Sequence, residues 1–193
     1  MRRPRTAQRI AVAARQLLDR GGVEAVTMRR VAQLVGITPM AVYRHYPDRS
    51  ALLNALANEG FSELAALLEV KRFSGSIDER LRKMLEVYLE HALQKPRLFE
   101  LMFLKPREGA RRFPRDFKAG DSATANQLVG VVREGMEIGH FRHDDVWEIV
   151  FAMGALSHGL IMLYLGGRTN MTASRFRIFY RQSFRRYIHG IRK

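Results

Sequence analysis

The sequence predicts an all-α protein of about nine helices: an N-terminal three-helix domain carrying a helix-turn-helix, then a larger C-terminal helical domain. Three observations carry that reading. Apolar residues recur at helical spacing through most of the 193 residues. Capping residues and Gly or Pro stops punctuate the pattern at helix-length intervals. The stretch from Thr27 to Arg49, TMRRVAQLVGITPMAVYRHYPDR, fits two short helices joined by a tight turn.

The first helix spans Thr6 to Arg20, with Ile10, Ala13, Ala14, Leu17 and Leu18 on one face and Gly21-Gly22 as its stop. Val23 and Val26 return the chain to Thr27, a good N-cap for a helix that carries Val31, Leu34 and Val35 and stops at Gly36. Thr38 caps the next helix, and Pro39 suits its first turn, where a missing N–H costs nothing. Pro47 disfavours helix at Tyr46, so this element covers Pro39 to Tyr46. At roughly 100° per residue, Val42 and Tyr46 face inward; Met40, Ala41 and Arg44 face out, with Pro39, Tyr43 and His45 on the flanks. A helix this short is held by its neighbours, which leaves its outer side free for double-stranded DNA. Arg can make two parallel hydrogen bonds to a guanine edge, a small apolar group can meet a thymine methyl, and Tyr, His and Thr can hold phosphates.

Thr27, Arg29, Ala32, Gly36-Ile37, Tyr43-Arg44-His45-Tyr46 and Arg49 stand at fixed spacings. At these residues the chain resembles the TetR family of bacterial transcriptional regulators, closely over the first third and by architecture over the rest. The resemblance implies DNA contacts at Thr27, Arg29, Thr38, Pro39, Met40, Ala41, Tyr43, Arg44 and His45, with Arg49 gripping the backbone. The charge agrees. There are 33 Lys+Arg against 19 Asp+Glu, a net +14 and a pI near 11.0, and residues 1–50 alone hold ten Arg against three acids. Such a balance asks for a polyanionic partner. The absence of Cys excludes disulfides, thiolate metal sites and a Cys nucleophile. The start MRRPRTAQRI lacks the apolar run of a secretory signal. Met1 to Arg5 is expected to be a basic arm near the DNA backbone or minor groove, or else a solvated tail.

Asp48 caps a long fourth helix, residues 49–70, that joins a DNA-binding domain, 1–50, to a regulatory domain, 51–193, and can turn a tilt at one end into displacement at the other. Ser76 and Glu79 form a capping box for a fifth helix that buries Leu81, Met84, Leu85, Tyr88 and Leu89. Pro96 opens a sixth, apolar around most of its circumference. Lys105 to Lys118 is basic and is expected to be a solvated, mobile connection; the sharper alternative is a mouth attracting anions such as fatty acids or acyl-CoA esters. A seventh helix runs to about Ile138. His140, His143 and Asp144 resemble metal spacing only weakly, so a polar loop with Asp144 as N-cap is expected, and no metal.

The eighth helix, Val146 to Leu165, is apolar enough for a membrane span, but Trp147-Glu148, Ser157-His158, Gly154 and Gly159 favour a deep core or an oligomer interface. Trp147 and His158-Gly159 also resemble a C-terminal domain of one TetR branch. Thr172 caps the ninth helix, where Phe176, Phe179, Tyr180, Phe184, Tyr187 and Ile188 alternate with arginines. In the TetR-like layout the last two helices of two copies form a four-helix dimer interface.

The expected function is therefore a cytoplasmic, nucleoid-associated regulator without enzymatic activity or cofactor. It would bind a palindromic DNA operator as a homodimer, repress, and leave on binding a small apolar or amphipathic effector. The effector pocket, between the fifth and eighth helices, is expected to use Tyr88, Phe99, Met102, Phe103, Phe117, Trp147, His158 and Met162. The alternatives are a sequence-tolerant DNA-coating protein and a basic membrane-surface protein. Catalysis is disfavoured by scattered His residues and the lack of a nucleophile elbow or phosphate loop.

Overall fold

A computed structural model describes residues 6–70, 73–107 and 109–193, with ten α-helices among them. The expected basic arm, Met1 to Arg5, lies outside the described residues. The chain divides into two compact units. One runs to Glu63 and takes in Lys95–Ala110; the other comprises Leu64–Gln94 and Arg111–Lys193.

The first unit holds α1 (Thr6–Gly21), a 3-10 turn (Val23–Ala25), α2 (Met28–Val35), α3 (Pro39–Tyr43), the first part of α4 (Arg49–Val70) and α6 (Pro96–Phe103). Its core gathers Ile10, Ala14 and Leu18 of α1, Val31 and Ala32 of α2, Val42 of α3, Leu52 and Leu56 of α4, and Leu98 of α6. Leu34, expected to share the apolar face of α2, is exposed, and Met28 and Ala32 are buried in its stead. The unit is larger than the 1–50 segment because α6 packs back onto it. At Gly60 of α4 a Cβ would come 2.6 Å from Met102 Sδ, with Leu98 just behind, so glycine is what lets α6 approach. Phe103 then meets Phe61 edge to face, ring centroids 5.1 Å apart.

The second unit holds α5 (Ile77–Gln94), α7 (Arg115–Lys118), α8 (Ala123–Glu137), α9 (Val146–Leu165) and α10 (Ala173–Gly190). The Ser76–Glu79 capping box forms, with Ser76 N donating to Glu79 Oε2 at 2.9 Å and Glu79 N to Ser76 Oγ at 3.4 Å. Its core joins Leu81, Met84 and Leu89 of α5, Val129 and Val132 of α8, Met153 and Ile161 of α9, and Phe176 and Phe184 of α10. Tyr180 is locked inside: its hydroxyl lies 2.5 Å from Ser157 Oγ and donates to Leu85 O at 3.3 Å. α9 has the length and composition of a bilayer-crossing helix, yet it packs against α8 and α10.

Three expectations are corrected. The helix at Pro39 ends at Tyr43 rather than Tyr46, because Pro47 closes the chain early; His45 N and Tyr46 N both turn back to Val42 O, at 2.9 and 3.0 Å. The N-cap of α9 is Asp145, which accepts from Trp147 N at 2.8 Å, while Asp144 accepts from Asp145 N. Most instructive, the carboxyl half of the basic 105–118 connection is neither irregular nor unattached. It contains α7, and Phe113 stacks on Phe151 of α9 at 4.1 Å with Phe117 against the same ring, while Lys118 pairs with Asp145 at 2.7 Å. Two phenylalanines in a charged run seek cover, and α9 supplies it.

Candidate nucleic-acid interface

The outer face of α3 is assembled from local chemistry. Thr27 Oγ1 accepts from Arg30 N at 3.2 Å and starts α2, and Gly36 ends it in the left-handed region at φ 73. Thr38 Oγ1 accepts from Ala41 N at 3.2 Å and starts α3 with Pro39 in its first turn. Val42 is wholly buried and pins the helix, leaving Met40 65% and Tyr43 45% exposed beside the exposed Arg44 and His45. Pro39 and Thr38 are exposed, and Ala41 and Thr27 are half-buried. Arg29 is exposed at the start of α2, and so is Arg30 next to it. Arg30 is the residue that motif matching passed over; its signal was the adjacent pair Arg29-Arg30. Neither of them, nor Arg44, forms an ion pair among the described residues. Uncompensated guanidiniums on α2 and just after α3, with an exposed tyrosine and methionine on α3, can meet phosphates and base edges.

Arg49 stands apart. Its Nε donates to Val26 O at 2.7 Å and its Nη2 to Val23 O at 2.6 Å, with Glu24 3.5 Å away. It braces the turn that precedes α2, so it positions the reading head whatever else it touches.

The residues expected to hold an effector are divided. Phe99 and Met102 are buried in the first unit, and Phe103 is half-buried there against Phe61 and Phe99. Tyr88, Phe117, Trp147, His158 and Met162 are half-buried in the second. Of these, Tyr88 and His158 face one another, ring centroids 5.6 Å apart. Burial pushes the His158 imidazole down to about 4, so it is neutral at physiological pH, and burial also raises the Tyr88 phenol. A neutral imidazole beside a protonated phenol makes this corner polar without making it charged. Phe117 is occupied in the ring cluster with Phe113 and Phe151. His140, weighed for metal, lies 2.7 Å from Asp78 Oδ1.

Two family models match. One, described as bacterial regulatory proteins of the tetR family, covers residues 10–56; the other, the tetracyclin repressor-like C-terminal domain, covers residues 81–186, more than half of the chain. The chain belongs to the TetR family. The HTH-type transcriptional repressor DrrR1 of Streptomyces coeruleorubidus is 32% identical over 88 residues, 45% of this chain and 33% of that protein. The chain thus spans less than half the length of the curated relatives it matches. A protein of unknown function from Rhodococcus sp. RHA1 superposes over 100% of both chains with a TM-score of 0.77 at 25% identity. The FadR regulator of Bacillus subtilis, solved with stearoyl-CoA, shares the fold at TM-score 0.76 and 14% identity, over 95% of this chain and 98% of that one.

Proposed function

We propose that this protein is a ligand-responsive transcriptional repressor of the bacterial cytoplasm that reads a palindromic operator as a homodimer. The observation that carries the reading is the outer face of α3, where Met40, Tyr43 and Arg44 project from a helix fixed by Val42. One short helix reads too few base pairs for genomic specificity, and a two-fold pair doubles them. Pairing through α9 and α10 is supported by the free side of α9. Ala152, Ala155, Gly159 and Leu163 are exposed along it, and a Cβ at Gly154 or Gly159 would meet nothing within 4 Å. Such a flat, small-residue stripe suits a second helix at close range.

The effector is a small apolar or amphipathic molecule held in the second unit near Tyr88, Trp147, His158 and Met162. It acts by favouring a DNA-incompetent state, and a difference of a few kcal/mol is enough to shift the population. The stearoyl-CoA held by the B. subtilis FadR supports a long-chain acyl compound as the first to try.

Selection of bound sequences from a random duplex library at near-physiological salt tests the core of this. An enriched inverted repeat is the expected result. Binding without any enriched motif would give the surface to sequence-tolerant DNA coating instead. Titrating acyl-CoA esters into the operator complex then tests the effector, with Trp147→Ala and His158→Ala expected to lose the response and keep the same half-site.

A further inference from the structure

We infer that the groove between α5 and α10 is a docking site for an acidic amphipathic helix of a partner protein. The two helices run antiparallel, with Arg177 paired to Glu90, Arg181 to Glu86 and Arg192 to Asp78 in succession. Beside this ladder lies an open groove of about 940 Å³. It follows α10 from Ile178 to His189, about 17 Å at the helical rise, and ends at Arg192 just past the helix, which suits an occupant helix of about 14 residues.

Its lining has two characters. The floor is apolar, built by the buried Phe184 and Ile188, and Ile178 stands in it 42% exposed. The rims are cationic: five guanidiniums, from Arg82 on α5 to Arg181, Arg185, Arg186 and Arg192, against Asp78 and Glu79 alone. Those two carboxylates are already engaged, Asp78 by His140 and Arg192, and Glu79 by Ser76. Glu86 serves both Arg82 and Arg181. Arg185 and Arg186 make no ion pair among the described residues.

Charge and floor together choose the occupant. A nucleic-acid backbone would satisfy the guanidiniums and leave Ile178 in water. An acidic helix with an apolar stripe at i, i+3/i+4 and i+7 covers the floor and sets carboxylates against both rims. By helical position, Ile178, Arg181 and Arg185 lie on the α5 side of α10, whereas Phe179 and Ser183 lie on the α9 side. Of the lining, Arg186 falls beside Phe179 on the side that a second copy paired through α9 and α10 would take, while Ile178, Arg181 and Arg185 lie away from it.

The test uses the full chain and two fluorescent peptides of about 14 residues and identical composition. One has Leu patterned on a single helical face with Glu flanking it; the other has the same residues scattered. Anisotropy at near-physiological salt is expected to give one patterned peptide per protomer, bound at least about tenfold tighter than the scattered one. Arg185→Glu and Ile178→Asp, both at exposed positions, are each expected to weaken it by about tenfold or more while operator selection and oligomeric state stay as they were. Equal binding of the two peptides, no binding of either, or binding that survives both substitutions overturns the inference. So does displacement of the peptide by a non-operator duplex or by phosphatidylglycerol vesicles, and so does loss of dimers in either variant, which would assign the face to a second copy.

Discussion

The outer face of α3 and the seam between α5 and α10 handle charge in opposite ways. In the first, Arg29, Arg30 and Arg44 stand exposed around α3 with no carboxylate to meet them. In the second, a ladder of pairs takes up Arg177 by Glu90, Arg181 by Glu86 and Arg192 by Asp78, with Arg80 of α5 paired to Glu134 at 2.7 Å, while Arg185 and Arg186 beside it form no ion pair among the described residues. Burial by itself would raise the Asp78 carboxyl, but the hydrogen bonds from His140 and Arg192 outweigh it and leave it below the ordinary value. A net charge of +14 therefore overstates how much of the chain is offered to a polyanion. What counts is the part that folding leaves unpaired.

The contrast can be broken at its most sensitive point by pH. His158 has a folded value depressed to about 4 from an ordinary value near 6.5. The unfolded chain takes up a proton first as pH falls, so stability is expected to drop between about pH 6.5 and 4, by at most ~3 kcal/mol, and to level off below. Urea melts across that range check it. His158→Gln should remove most of the slope; a slope unchanged in that variant would show that other groups carry it.

In the first unit, Arg49→Ala strips the donors from Val23 O and Val26 O, at a cost of about 2 kcal/mol in a melt, and weakens binding to every DNA sequence alike. Arg44→Ala separates base reading from bracing. It should leave the melting temperature where it is, relax preference at one position by about 1–3 kcal/mol in a mismatch panel, and lower specificity more than affinity. Similar effects from both substitutions would erase the distinction. At the small end, Arg177→Ala breaks a half-exposed pair and should cost under ~1 kcal/mol, leaving operator affinity and its salt dependence unchanged. A change in either would mean that the second unit's paired arginines also face DNA.

What could be read from sequence follows the same division between local and distant causes. Thr27, Gly36, Thr38, Ser76 with Glu79, and Thr172 act on backbone within a few residues, and each does what its neighbours demand. The face of α3 was legible for that reason, because a cap, a proline and one buried valine orient it. Arg49 was not, since its partners are carbonyls 23 and 26 residues away. Nor was the clasp of Phe113 and Phe117 on Phe151, which needs α9 in place before the charged run has anything to cover it. Phe99 and Met102 carry the same apolar signal whether they wall a cavity or fill a core; both are buried in the first unit, Met102 beneath Gly60.

The return of Lys95–Ala110 to the first unit bears on how such regulators are recombined. The chain passes from one unit to the other three times, so neither is a single uninterrupted stretch. A chimera that borrows only residues 1–50 leaves Leu98, Leu101 and Met102 with the donor and must accept whatever sixth helix the host provides. Exchange of reading heads between relatives is then a problem of matching two segments of gene, and crossovers that carry both should give soluble hybrids far more often than crossovers that carry one.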